Sequence, residues 1–143
     1  MMRDAPFTLD ARLAADTHAV GELDFAHLLL MDDARFPWLI LVPRVAGASD
    51  LTNLALADQH RLLADINRVT TALNSIDRPH KLNIAALGNV VAQLHVHVIA
   101  RFEDDAAWPK PVWGIGERRG YSAGELDRKL RTLRAALNLQ SGA

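Results

Sequence analysis

Gln-Leu-His-Val-His-Val-Ile, residues 93–99, is the stretch of sequence from which the fold and the site can both be argued. Polar and apolar residues alternate along it, which is typical of a half-buried β-strand whose side chains point to opposite faces in turn. We predict a strand over residues 91–102. The apolar residues at 94, 96 and 98 would face the core. Gln93, His95 and His97 would share the other face, with the two imidazoles ~7 Å apart along the strand.

The histidine pair by itself is compatible with three interpretations: a polar outer face, a metal site or a catalytic site. Imidazole is the side chain best suited to act as base, acid or nucleophile near neutral pH. A metal site usually needs a third protein ligand. The other four histidines do not have ligand spacing, and we interpret them as surface or partly buried residues: His18, His27, His60 and His80.

The residues around the pair favour catalysis on an anionic substrate. Gly88 and Asn89 lie just before the histidine strand, and Asn83 lies before them. Glycine lets the backbone approach a ligand closely, and an asparagine amide donates hydrogen bonds without adding charge. Such a loop suits a phosphate or another oxyanion. Asp32 ends an earlier apolar segment, where it is either a turn residue or an acceptor for ribose hydroxyls.

Composition limits the class of protein. The 143 residues are the usual length of one domain, and we expect a single domain over residues 1–143. Sixteen Lys and Arg against seventeen Asp and Glu do not predict a basic surface, so no nucleic-acid partner is expected. The absence of cysteine excludes disulfides and thiol chemistry. The start of the chain has no signal-peptide pattern and the apolar runs are too short for a bilayer, so we expect a cytoplasmic protein without a membrane partner.

Apolar periodicity and turn residues predict an α+β fold: an antiparallel sheet of about five strands, a long central helix and a C-terminal helix. The long helix carries an apolar stripe at spacings of three and four, and a capping box at residues 122–125 opens the last helix. Residues 108–114 are expected to form an ordered loop. The predicted strands are 17–23, 26–31, 38–42, 81–87 and 91–102, and the predicted helices are 9–15, 50–76 and about 122–138.

Residues 88–101, Gly-Asn-Val-Val-Ala-Gln-Leu-His-Val-His-Val-Ile-Ala-Arg, resemble the signature of the histidine triad (HIT) superfamily. That signature is His-φ-His-φ-His-φ-φ, where φ is apolar, after a Gly-Gln-Ser/Thr loop. Residues 38–44 are similar to the family strand that ends in Ile-Pro-Lys, and the long helix follows in the expected place. Trp108-Pro109 is similar to a Trp-Pro segment of the nucleoside phosphoramidase branch. The resemblance covers about residues 20–114 and implies a HIT-like fold.

The resemblance also implies a reaction. The middle histidine of the signature, here His95, attacks the α-phosphorus of a purine nucleotide conjugate, and water then releases the nucleoside monophosphate. His97 corresponds to the histidine that contacts phosphate and leaving-group oxygens. The resemblance implies no cofactor. It does imply a homodimer in which the sheets of the two subunits are joined. The residues implied in nucleotide binding are Asn83, Gly88, Asn89, Asp32 and Trp108.

Two positions depart from the family pattern. Gln93 stands in place of the first histidine, whose backbone carbonyl helps to fix the ring of the nucleophile. A carbonyl survives a change of side chain, and the Gln93 amide can donate to phosphate, so we keep Gln93 in the catalytic set with His95 and His97. Val90 replaces a loop hydroxyl that contacts the leaving group.

Three functions therefore remain open. The first is a nucleotide-conjugate hydrolase or nucleotidyl transferase, of the phosphoramidase or the dinucleoside polyphosphate hydrolase type. The second is a nucleotide-binding protein with little turnover, which the changes at Gln93 and Val90 would explain. The third is a metal-dependent hydrolase using His95 and His97.

Overall fold

The computed structural model describes residues 5–140, which contain a five-stranded antiparallel sheet with the strand order β1-β2-β3-β5-β4. The predicted α+β architecture is confirmed. The strands are β1 (Thr17–Glu22), β2 (Ala26–Met31), β3 (Trp38–Pro43), β4 (Lys81–Ala85) and β5 (Val96–Arg101). The helices are α1 (Ala11–Asp16), α2 (Leu56–Asp77) and α3 (Ala123–Leu137), and a short 3-10 helix covers Leu51–Asn53.

The sheet is covered on both faces, which explains why its central strands are so apolar. All residues of β3 and β5 are buried. On one face α2 and α3 pack on the sheet in a cluster that includes Leu28, Leu39, Leu62, Val98 and Leu133. On the other face α1 and the loop after β5 form a second cluster, which includes Leu13, Leu29, Ile40, Ile99 and Val112.

The register of β5 decides which of its residues can meet the second cluster. His97 pairs with Ile40 of β3 on one side and with Ala85 of β4 on the other. Because directly paired residues lie on the same face, His97 belongs to the face covered by α1 and the loop after β5. It is therefore buried, although it is polar.

The prediction of a strand over 91–102 is wrong at its N-terminal end, because β5 begins only at Val96. The residues before it are bonded outside the sheet. The Leu94 N–H donates to the Ala48 carbonyl, and the Gln93 side chain bonds the backbone at residues 8 and 10. His95 therefore lies just outside the strand, and the alternation that put Gln93 on one face with both histidines does not extend to residue 93.

The other elements lie close to their predicted ranges. The helix expected from residue 50 is divided into the 3-10 helix and α2. Helix α2 ends at Asp77, and Arg78 caps it with a positive φ of 48°. The strand expected over 81–87 ends at Ala85. The capping box between Ser122 and Glu125 is present at the start of α3. Within residues 5–140, no helix combines the length and the apolar character that crossing a membrane requires.

A buried carboxylate joins the long helix to the sheet. Asp65 of α2 is only 2% exposed. Its Oδ2 accepts hydrogen bonds from the backbone N–H groups of Phe25 (2.9 Å) and Ala26 (2.8 Å), at the start of β2. Backbone donors buried at this point need an acceptor, so Asp65 fixes where α2 lies along the sheet.

We expect Asp65→Ala to lower the free energy of unfolding by about 3 kcal/mol, because two buried N–H groups lose their acceptor. The control is Asp127→Ala on the exposed surface of α3, where an i,i+4 ion pair with Arg131 is worth only a few tenths of a kcal/mol. Urea denaturation of the two variants measures the difference. Equal stability of the two variants would contradict the role given to Asp65.

Candidate active site

The ring of His95 is held by a backbone carbonyl. Its Nδ1 lies 2.7 Å from the carbonyl oxygen of Gln93. A carbonyl can only accept, so Nδ1 carries the proton and Nε2 keeps its lone pair. Nε2 of His95 makes no hydrogen bond to any residue in the described part of the chain. The geometry therefore presents an oriented imidazole with a free nucleophilic nitrogen.

The ring of His97 is held in the opposite way. The indole Nε1 of Trp38 lies 3.0 Å from Nδ1 of His97. An indole N–H can only donate, so Nδ1 of His97 accepts and the proton of the neutral ring is on Nε2. The two imidazole rings are 4.9 Å apart between centroids and nearly perpendicular. Adjacent histidines thus carry opposite tautomers.

His97 is also neutral. It is 5% exposed, and burial, followed by the neighbouring His95, lowers the pKa of His97 to about 4. Two aromatic rings pack against the imidazole of His97. The ring centroid of Trp113 lies 5.0 Å from that of His97, and the ring centroid of Trp38 lies 5.7 Å from it. At neutral pH, His97 therefore contributes an N–H donor rather than a positive charge.

The side chain of Gln93 binds the segment before α1. Its Oε1 accepts from the Asp10 N–H and its Nε2 donates to the Thr8 carbonyl, both at 2.8 Å. The group of Gln93 that reaches His95 is its backbone carbonyl. Gln93 therefore connects the N-terminal segment to the residues that precede β5.

Two predicted binding residues, Asn83 and Trp108, contact the buried Arg101. Asn83 Oδ1 accepts from the Arg101 guanidinium at 2.7 Å. The centroid of the Trp108 ring lies 5.7 Å from Cζ of that guanidinium. The same ring meets the ring of His80 edge-on, with 5.1 Å between the ring centroids. By register, Asn83 shares the sheet face of His97, because it pairs with Ile99 and lies two residues before Ala85, the partner of His97.

The remaining predicted binding residues lie in the loop between β4 and β5 and directly after β2. Gly88, with a φ of 75°, and the exposed Asn89 are in the loop between β4 and β5. Asp32 accepts from the Tyr121 N–H and from His18 at 3.0 Å each, and these bonds lower the pKa of its carboxyl. Neither active-site histidine is hydrogen-bonded to Asp32, so the structure does not bring Asp32 into direct contact with the pair.

Trp38 and Trp113 are site residues that the sequence pattern alone does not indicate. Trp38 is two residues before Ile40 and therefore lies on the face of His97 once the register is known. Such diagonal neighbours across a sheet are within reach of aromatic side chains. Trp113 comes from the loop after β5, and no periodic pattern marks it. A register assignment for β3 and β5 would have identified Trp38.

A cavity of about 230 Å³ lies next to the two tryptophans. Its walls combine aromatic or apolar side chains with charged ones, and neither His95 nor His97 lines it directly. Residues that line it include Asp16, Met31, Arg35, Trp38, Trp113 and Arg118. Among residues 5–140, no group of three or more His, Asp or Glu side chains is arranged to hold a metal ion.

Comparison with known proteins identifies the family. Residues 12–104 match the family model of the HIT domain. A histidine triad protein of Bradyrhizobium japonicum is 44% identical and superposes with a TM-score of 0.91, covering 93% of this chain and 99% of that one. A histidine triad protein of Marinobacter aquaeolei is 40% identical, with a TM-score of 0.91 and coverage of 94% and 98%. These matches confirm the HIT-like fold.

A curated relative is an AP-4-A phosphorylase of Mycobacterium tuberculosis, which is 32% identical over 71% of this chain. The match covers 55% of that protein, so this chain spans about half the length of the curated relatives it matches.

The depressed pKa of His97 makes stability depend on pH. In the unfolded chain this imidazole takes up a proton near pH 6.5, but in the folded protein only near pH 4. Lowering the pH from 6.5 to 4 therefore lowers the free energy of unfolding, by up to about 3 kcal/mol. We expect His97→Gln to lose less stability than wild type between pH 6.5 and 4, as measured by urea denaturation. The exposed His60→Gln variant should follow wild type, and parallel curves for all three proteins would refute the assignment.

Proposed function

This chain belongs to the HIT domain family, and on that premise we propose that it is a nucleotide-conjugate hydrolase or nucleotidyl transferase that acts through a covalent nucleotidyl-histidine on His95. The observation that carries the proposal is the bond from His95 Nδ1 to the Gln93 carbonyl. It leaves Nε2 free and turns the ring so that only this nitrogen can attack. The name of the curated relative, a phosphorylase of AP-4-A, supports the same general class of chemistry.

The proposed first step forms one bond and breaks one. The Nε2 lone pair of His95 attacks the α-phosphorus, and the bond from phosphorus to the leaving group breaks. The ring becomes a cation that carries phosphorus on Nε2 and a proton on Nδ1, and the Gln93 carbonyl stabilises this charge through the hydrogen bond at Nδ1. In the second step water, or another hydroxyl or phosphate acceptor, attacks phosphorus, the P–Nε2 bond breaks and its electron pair returns to Nε2; an attacking water or hydroxyl releases its proton to solvent.

Donors around His95 support the binding of an anion. His97 presents Nε2–H on the neighbouring ring, and Gly88 in the preceding loop has a positive φ of 75°, a conformation that also occurs in anion-binding backbone loops. Asn89 is exposed in the same loop, and Asn83 keeps its amide N–H groups while its oxygen binds Arg101. We assign these groups to the phosphates of the substrate.

We assign the nucleoside to the cavity next to Trp38 and Trp113, because the half-buried ring of Trp113 lines it and an aromatic ring stacks well on a purine. Asp32 does not line this cavity and is bonded to His18 and Tyr121, so its assignment to a ribose hydroxyl is a proposal that rests on the family resemblance alone. Trp108 stays in the proposed binding set as the ring that covers Arg101. We propose that no cofactor is needed, and that the protein acts in the cytoplasm without a nucleic-acid or membrane partner.

A binding protein with little turnover remains the second candidate, and two observations favour it. The Gln93 amide is bonded to Thr8 and Asp10, and Val90 is 76% exposed and apolar where the family has a hydroxyl. Neither side chain then helps the leaving group. A metal-dependent hydrolase has less support, because the described residues offer no three-ligand set.

We also propose a homodimer that joins the sheets of two subunits at β4. This strand is at the edge of the sheet, so its outer N–H and C=O groups are open to pairing. Large apolar side chains are exposed on it and just after it: Ile84 (52%), Leu87 (48%) and Val90 (76%). An exposed apolar edge of this kind is a suitable interface for a second copy of the chain.

The nucleophile is tested by intact-mass spectrometry after brief mixing with diadenosine tetraphosphate or AMP-lysine. We expect an adenylyl adduct on wild type and none on His95→Ala. Gln93→Ala should retain the adduct, because the carbonyl that orients His95 remains, and His60→Ala is the control for loss of a remote histidine. An equal adduct on His95→Ala would refute the assignment, whereas binding of AMP with no adduct or turnover would favour the second candidate.

The dimer is tested by sedimentation equilibrium. Wild type should have about 31 kDa, twice the 15.7 kDa of the chain. Ile84→Asp places a charge on the proposed interface and should give the monomer mass, while Thr132→Asp, exposed on α3 at the other side of the sheet, should not. A monomeric wild type would rule out the dimer.

A further inference from the structure

The bond between Trp38 and His97 is held rigidly. Trp38 is 6% exposed, and its ring packs edge-on against Trp113 at 5.7 Å and against Phe36 at 6.4 Å. It also lies on the sheet face of His97, which fixes the side of the imidazole it meets. The indole N–H therefore cannot turn away from Nδ1 without disturbing the packing of the whole face.

This bond decides what His97 can do with a proton. Nδ1 is occupied by the Trp38 donor, and Nε2 already carries the proton of the neutral ring. To become an imidazolium, His97 would have to release Trp38 and place a charge among Trp38, Trp113 and the buried face of the sheet. Its lowered pKa, about 4, agrees with this cost. His97 is thus a hydrogen-bond donor that holds its proton.

Whether His97 can give up its proton matters when the leaving group is an amine, and it does not matter when the leaving group is a phosphate. When a phosphate or polyphosphate leaves, the electron pair of the breaking P–O bond stays on an oxygen that is a stable anion at neutral pH, and a hydrogen bond from Nε2–H is sufficient. When an amine leaves, the electron pair of the breaking P–N bond remains on nitrogen, which must gain a proton as it departs. The Nδ1–H of His95 is bonded to the Gln93 carbonyl and does not supply that proton.

We propose that Trp38 is a positioning residue that restricts the enzyme to nucleotide conjugates whose leaving group is a phosphate or polyphosphate, and that it disfavours phosphoramidates by denying the departing amine a proton from His97. This inference rests on the proposed nucleotidyl transfer through His95 and selects the leaving group within it. The lone pair of His95 Nε2 forms the bond to the α-phosphorus, the P–O bond breaks, and His97 Nε2–H hydrogen-bonds the departing oxygen without giving up its proton.

The test compares diadenosine tetraphosphate with AMP-lysine, which share the adenylyl group that is transferred, so that effects on the binding of that group cancel in the ratio of their kcat/KM values. We expect wild type to prefer the polyphosphate by about 100-fold in kcat/KM, the size of a missing general acid. Trp38→Phe keeps an aromatic ring but removes the N–H, so Nδ1 of His97 becomes free to take up a proton. The ratio should then shift towards AMP-lysine by about tenfold or more.

Two further measurements do not depend on how well Trp38→Phe folds. Selective ¹⁵N labelling of histidine in the wild-type protein should report His97 with its proton on Nε2 at neutral pH. His97→Gln supplies an amide N–H but no titrating nitrogen, so it should exceed His97→Ala on diadenosine tetraphosphate by about tenfold. A general-acid role for His97 would instead make the two variants equally poor.

The outcomes separate this inference from the function on which it rests. A His95 adduct from both substrates, with equal kcat/KM in wild type, would overturn the inference and leave the proposed function intact. A ratio that does not change in Trp38→Phe, or a proton on Nδ1 of His97, would also overturn it. If neither substrate gave a His95 adduct, both the inference and the proposed function would be overturned.

Discussion

The buried guanidinium of Arg101 is the constraint on which the rest of the site depends. It is 1% exposed at the end of β5, and a charge in that position is stable only if its N–H groups find acceptors. Asp105 supplies bonds of 2.8 and 3.1 Å, Asn83 one of 2.7 Å and the Lys110 carbonyl another of 2.7 Å. Although burial opposes it, the Arg101 bonds and three backbone N–H groups hold the pKa of Asp105 well below its usual value.

The acceptors around Arg101 explain why the second face of the sheet is closed. Two of them belong to the loop after β5, so that loop has to fold back onto the sheet to satisfy the charge. Asp105 in turn accepts from the backbone of Phe102, Ala107 and Trp108, which fixes the path of the loop. The chain then continues to Trp113, whose ring packs on His97. Removal of water from His97, and hence its neutral state, follows from this arrangement.

Two histidines two residues apart have different chemistry because their hydrogen-bond partners differ. A carbonyl turns His95 into a nucleophile with Nε2 free, and an indole turns His97 into a donor with Nε2 protonated. The substitution of Gln93 for a family histidine separates two roles of that position. Its backbone retains the task of orienting His95, and its side chain binds the N-terminal segment instead. A change of side chain there can alter the rate without altering the nucleophile.

Local patterns were sufficient to predict the strands 26–31 and 38–42, the capping box of α3 and the candidate histidines, because alternation, helical stripes and capping act over a few residues. They failed at residues 91–95, where the alternation continues in the sequence but the hydrogen bonds go to Ala48 and to residues 8 and 10. They also missed Trp38, Trp113 and the network around Arg101, since these meet the histidine pair only through the pairing of β3 with β5 and the return of the loop. The identity of the two imidazoles was thus present in the sequence, but their tautomers and the neutral state of His97 depend on contacts between residues far apart in the chain.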